Sequence, residues 1–168
     1  MKTTGVGGER GYDGAKKIKG RKRPLLVETQ GLVLKVKVHT ADVMDRDGGT
    51  VLLSPEEVKE RFSRLSHFWL EAGSKGKGKG QDWIEQELRW TTPVVQPPPR
   101  RVNVAADVQP APRPAFTVLP RRGVVERTFS WLGQSRRLRK EFERLRETSK
   151  ALIYATMSRL MVRRLVHM

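Results

Sequence analysis

Leu25-Leu26-Val27-Glu28-Thr29-Gln30-Gly31-Leu32-Val33-Leu34-Lys35-Val36-Lys37-Val38 is the stretch on which the fold class turns. Leu25, Val27, Leu32, Leu34, Val36 and Val38 are interleaved with other residues on both sides of Thr29-Gln30-Gly31. Successive strand side chains point to opposite faces, so this period-two pattern around a glycine-containing turn predicts an antiparallel β-hairpin. Downstream, Ser54-Pro55-Glu56-Glu57 has the chemistry of a helix start: an N-cap serine, proline at the first helical position and an acidic first turn. Val58, Phe62 and Leu65 give that helix one apolar face. His67 to Leu70 reads as a short strand ending at Glu71, Gln81 to Arg89 as a helix with Trp83, Ile84 and Leu88 inward, and Thr92 to Val95 as a further strand. Strands interleaved with helices, then a helical C-terminal end, predict an α/β fold: a mixed sheet with flanking helices.

Upstream of the hairpin, residues 1–24 combine glycines with lysines and arginines and carry too little apolar surface for a core of their own, which predicts a flexible basic arm. Residues 25–168 form the folded part, interrupted over 93–120 by a proline-rich insertion or loop. From Val124 a helical pattern uses Val125, Phe129 and Leu132, then Leu138, Phe142 and Leu145. A last helix, Ser149 to Val166, sets Arg159, Arg163 and Arg164 opposite Leu152, Ile153, Leu160 and Met161. Its amphipathic form also suits a membrane surface or a partner, but the expected role of its apolar face is to cover the sheet.

The 168 residues carry 34 Lys and Arg against 18 Asp and Glu, a net charge of +16. That imbalance points to a polyanionic partner, of which nucleic acid is the commonest. The excess lies in residues 1–37 and 121–168, whereas 38–120 is balanced. Absence of cysteine excludes disulfides, thiolate zinc sites and thiol nucleophiles. No apolar run reaches the length of about 18 residues that a membrane span needs, and no export signal is visible, so a cytoplasmic, DNA-associated protein with no membrane partner is expected. His39, His67 and His167 lack metal-ligand spacing. The Gly73 to Gly80 tract has the glycines and lysine of a phosphate-binding loop, but Gly80 stands where a magnesium-binding Ser or Thr is needed, which argues against nucleotide binding.

Four blocks carry a resemblance. They are Gly7-Gly8-Glu9-Arg10-Gly11-Tyr12-Asp13-Gly14 with Lys16-Lys17-Ile18-Lys19-Gly20-Arg21-Lys22-Arg23; Thr40-Ala41-Asp42-Val43-Met44-Asp45-Arg46-Asp47-Gly48; Leu119-Pro120-Arg121-Arg122-Gly123-Val124-Val125-Glu126-Arg127-Thr128-Phe129-Ser130-Trp131-Leu132-Gly133; and Glu147-Thr148-Ser149-Lys150-Ala151-Leu152-Ile153-Tyr154. In this order they resemble insertion-sequence DDE transposases of the insertion sequence 5 type. The resemblance implies an RNase H-like fold in which two aspartates and a glutamate hold two magnesium (or manganese) ions for phosphodiester cleavage and strand transfer. Hard divalent cations prefer oxygen ligands, and a metal pair stabilises both the attacking and the leaving oxygen. Insertion-sequence ends are the implied DNA partner, with self-association as in transposases.

Carried over residue by residue, the family's glutamate falls on Glu126, four positions after Arg122. The second aspartate falls on Glu71, one methylene longer, which reads equally as an altered metal ligand or a solvated carboxylate. The first would precede Met1, implying an N-terminally truncated catalytic domain with an incomplete sheet and weakened metal binding. The family's frequent histidine and tryptophan fall on Pro24 and Gly123, and its signature tyrosine and lysine on Leu119 and Gly133. Lys16, Lys17, Lys19, Arg21, Lys22, Arg23, Arg122, Arg136 and Arg137 are the candidate DNA contacts, through phosphate neutralisation. Asp42, Asp45 and Asp47 are explained by a turn. Two functions follow: a DNA transposase by family, inactive as this chain, or a non-enzymatic basic protein that binds nucleic acid without sequence preference.

Overall fold

The computed structural model describes residues 8–43, 52–71, 80–95, 121 and 123–167. The Gly73–Lys79 part of the Gly/Lys tract, most of the proline-rich stretch, Arg122, and the Glu71 side chain lie outside them. Strands β1 (Gly11–Asp13), β2 (Ile18–Lys22), β3 (Leu25–Val27), β4 (Val33–Val36) and β5 (His39–Thr40) are joined by antiparallel ladders. The pairs Arg21↔Thr40, Lys22↔His39, Leu25↔Val36 and Leu26↔Lys35 share one register, so β2 with β3 and β4 with β5 act as two long arms. Pro24 divides the first arm because it has no amide to offer the ladder. Its carbonyl still accepts the Lys37 amide at 3.2 Å, which carries the register across the gap.

The expected hairpin over Leu25 to Val38 is therefore present, and its turn is closed from within. The Glu28 carboxylate accepts the amides of Gln30 (2.8 Å) and Leu32 (3.1 Å), and the Gly31 amide donates to the Glu28 carbonyl. Gly31 sits at φ +89°, and a Cβ there would lie 2.9 Å from Thr128 Oγ1. Only glycine meets both conditions without strain.

Within the stretch expected to be a basic arm, the residues from Gly8 onward include paired strands. β1 and β2 form a second hairpin, and Arg21, at 1% exposure, is among the most deeply buried side chains of the described residues. The physical reason is long-range: Arg21 donates to the carbonyls of Glu9 (2.9 Å), Glu143 (3.0 Å) and Arg144 (2.7 Å), partners far away in sequence that local composition does not reveal.

Helices lie on both faces of the β3–β4 hairpin. Helix α1 (Pro55–Arg61) begins at Ser54 with proline in its first turn, and Lys35 reaches across to Glu57 at 2.5 Å. Leu26, the cross-strand neighbour of Lys35, joins Leu53, Val58, Leu70, Ile84, Leu88 and Trp90 in one core cluster. On the other face Val36 packs with Leu132, Leu138, Ile153 and Met157, and its amide donates to the Tyr154 hydroxyl. Full burial of side chains such as Ile153 and Met157 stabilises by about 1.5–3 kcal/mol each.

Strand β6 (Leu70–Glu71) pairs in parallel with β7 (Val94–Val95), with the expected second helix between them as α2 (Gly80–Trp83) and a π turn, Ile84–Leu88. Thr92 donates to Glu85 and ties that turn to the start of β7. With antiparallel and parallel ladders both present, the protein is a mixed α/β structure of small sheets and helices.

At the C-terminal end, α3 (Gly123–Gly133) stops earlier than the apolar pattern predicts. Gln134 and Ser135 close the helix by bonding to the carbonyls of Trp131 and Leu132. A 3₁₀ turn follows over Arg136–Leu138, and Phe142 and Leu145 are exposed rather than helical. The inward face of α3 is Thr128 and Leu132, with Val125 and Phe129 exposed. The last helix, α4 (Arg146–Val166), buries Ser149, Ile153 and Met157 against the hairpin. Among the described residues no helix is long and apolar enough to cross a membrane.

Candidate functional site

Glu126 lies in the first turn of α3 and its side chain is exposed. The helix is fixed beneath it by Thr128, whose hydroxyl donates to the Gly31 carbonyl at 2.6 Å, and by buried Leu132. The hairpin turn thus sets the position of the helix that carries Glu126.

The chain enters α3 through Arg121, in the left-handed region at φ 65°. Its guanidinium stands 4.2 Å from the Trp69 ring centroid, a cation–π contact across a wide sequence separation. Trp69 is two residues before Glu71, and the backbone of Glu71 closes β6 opposite Val95. Arg121 and Trp69 therefore bring the entry of α3 beside the strand that ends in Glu71. C-terminal ends of parallel strands are where open α/β sheets gather ligand groups. Glu126 and Glu71 are oxygen donors of the kind that hard divalent cations take, but among the described residues no group of three His, Cys, Asp or Glu forms a candidate metal centre.

The basic candidates divide sharply. Arg21 and Arg23 point inward: Arg23 donates to Glu141 Oε2 through Nε (3.1 Å) and Nη2 (2.8 Å), and to the Leu138 carbonyl through Nη1 (3.1 Å). Lys22 donates to the Val43 carbonyl at 2.7 Å and lies 3.4 Å from Asp13 Oδ2. These three side chains are engaged by the fold itself. Lys16 and Lys17, at the β1–β2 turn, and Lys19, on β2, are exposed. Arg136 is exposed on the 3₁₀ turn, and Arg137 pairs with Glu143 at 2.7 Å while remaining largely in solvent.

Sequence reasoning missed Glu141. Its carboxylate, fully buried, accepts from Arg23, from Ser149 Oγ (2.9 Å) at the start of α4 and from the Glu143 amide (3.3 Å), with Arg21 Nη1 at 3.9 Å. The nearest signal in the sequence is an acidic residue flanked by basic ones, which is equally the pattern of a solvated surface. Asp13 is likewise structural. The amide of Lys16 donating to its carboxylate, helped by the charge of Lys22, holds its pKa below the ordinary aspartate range.

No curated protein and no solved structure matches this chain. A family model described as the transposase DDE domain matches residues 1–161, which takes in both hairpins, the β6–β7 pair, α3 and nearly all of α4. With that match spanning nearly the whole chain, the chain belongs to the DDE transposase family, whose members cut and join DNA.

Proposed function

We propose that the chain works on insertion-sequence DNA as part of an RNase H-like transposase of the insertion sequence 5 type, with Glu126 and Glu71 as its surviving metal-facing carboxylates. The observation that carries this reading is the Arg121–Trp69 contact, because it joins the approach to Glu126 with the strand that ends in Glu71. Magnesium or manganese is the fitting cation for such oxygen donors, and Arg122 is carried over from the resemblance as a contact to the same DNA. Lys16, Lys17, Lys19, Arg136 and Arg137 are the remaining exposed candidates for phosphate contact.

Turnover by this chain is expected to be weak. Glu71 carries an extra methylene relative to the aspartate expected there. A carboxylate shifted by that methylene from the best coordination distance holds a divalent cation less tightly. The test is incubation of the protein with labelled insertion-sequence ends and magnesium or manganese. Retention of the DNA with at most trace nicking is the expected result. Efficient nicking that survives Glu126→Gln would overturn the site, and absence of any DNA binding would overturn the function.

A further inference from the structure

Between the C-terminal half of α3 and the middle of α4 lies a cleft of about 250 Å³, remote in sequence from Glu71 and lined by Trp131, Gln134, Ser135, Thr156, Arg159 and Arg163 among others. Its polar side chains are hydroxyls, an amide and two guanidiniums, without a carboxylate. The sequence supplies none nearby: Arg127 to Lys140 and Thr148 to Met168 contain no Asp or Glu. Trp131, at the edge of the cleft, holds two further guanidiniums by cation–π contact, Arg164 at 4.3 Å and Arg127 at 5.3 Å. Among the described residues no ion pair engages Arg159 or Arg163. This contrasts with Arg21 and Arg23, whose charge is neutralised inside the fold.

We infer that this cleft is a second nucleic-acid contact, seating the sugar–phosphate backbone of DNA against Arg159 and Arg163. The choice of DNA rests on the transposase reading, and the chemistry rests on the cleft. Arg159 and Arg163 are one helical turn apart, about 6 Å along the axis, which is of the order of the step between neighbouring phosphates on a strand. Guanidiniums pair with phosphate oxygens in a planar fork, and the hydroxyls of Ser135 and Thr156 add neutral donors. Trp131 orders Arg164 and Arg127 before any ligand arrives, which lowers the entropy lost on binding. An anionic membrane is the competing occupant, since the last turns of α4 expose Met161, Val162, Leu165 and Val166 beside the same arginines. Those apolar residues do not line the cleft.

Binding of a fluorescent DNA duplex, measured with EDTA present while salt is raised from about 50 to 200 mM, reads this contact independently of the carboxylates. The plot of log affinity against log salt should become shallower by about 0.9 for each phosphate contact removed. The double variant Arg159→Ala/Arg163→Ala is expected to lose close to two such contacts, and Arg159→Lys/Arg163→Lys to retain most of the slope. The charge-matched control Arg61→Ala/Arg64→Ala, on and just after α1, should leave the slope where it was. Equal losses in both alanine doubles would overturn the inference by showing that only net charge matters. So would vesicles containing anionic lipid that bind wild type but not Arg159→Ala/Arg163→Ala while the DNA slope stays fixed. Circular dichroism of each variant confirms the fold. A wild-type protein that binds DNA with the expected slope but shows no carboxylate-dependent cation binding would leave this cleft standing and sink the proposed acidic site.

Discussion

Glu141 and Glu126 sit in the same C-terminal third of the chain, yet they occupy opposite physical situations. Glu141 is buried between two arginines of the β2–β3 arm and a serine of α4, with its oxygens filled by internal donors. Glu126 stands exposed on the first turn of α3, near the Arg121–Trp69 contact. A carboxylate saturated by the fold has nothing left for a cation or for DNA, whereas an exposed one on an anchored helix does. The same division separates Arg21 and Arg23 from Arg159 and Arg163. In a chain of net charge +16, the question is which charges the fold consumes.

The comparison is broken most forcefully at Glu141. Glu141→Ala leaves two buried guanidiniums facing each other, and removing one partner of a buried ion pair costs about 3–5 kcal/mol. Urea denaturation should therefore show a large loss of stability or outright unfolding, and a loss under about 1 kcal/mol would mean that the node behaves like a surface pair. Gly31→Ala comes next. A non-glycine residue in the left-handed region costs about 1–3 kcal/mol, and the added Cβ also presses on Thr128. Because the hairpin turn positions α3, the variant should lose metal-dependent behaviour at Glu126 along with stability, checked by thermal melting and cation titration together.

Glu126→Gln sharpens the contrast from the other side. Exposed substitutions away from special features change stability by at most about 0.5 kcal/mol, so its melting curve should overlay that of the unaltered protein. The smallest effect concerns acid. Glu57 accepts from Lys35 and lies beside Arg61, and the Lys35 hydrogen bond first of all holds its pKa below the ordinary glutamate range. A depressed folded-state value contributes stability above the ordinary range and loses it as pH falls below about 4. Glu57→Gln should accordingly flatten the acid limb of the stability curve slightly, and an unchanged limb would remove this pair from the account.

What the sequence made legible was local. The Leu25–Val38 hairpin announces itself by period two around a glycine turn, α1 by Ser54-Pro55, and α4 by recurring Ile153, Met157 and Leu160. What escaped was long-range. Arg21 looked like part of a basic arm because its partners are 122 and 123 residues away. The inward face of α3 was misjudged because the Thr128 hydroxyl, polar on paper, is satisfied by the Gly31 carbonyl and so can be buried. Helix continuation past Gly133 was suggested by Leu138 and Phe142, but two tight amide bonds end the helix, and only Leu138 goes inward. Of the candidate site, the family blocks pointed to Glu126 and Glu71, and no periodicity could have found the cation–π contact that links their surroundings.

Manganese titration across a double-mutant cycle of Glu71→Gln and Glu126→Gln tests the proposed shared site most directly, with binding followed by electron paramagnetic resonance. If one ion bridges the two carboxylates, either substitution alone should abolish most of the binding and the second should add little, while Glu71→Asp should tighten it. Additive losses, or binding indifferent to both changes, would mean that the two side chains serve separate surfaces and that the catalytic ancestry does not describe how this molecule works.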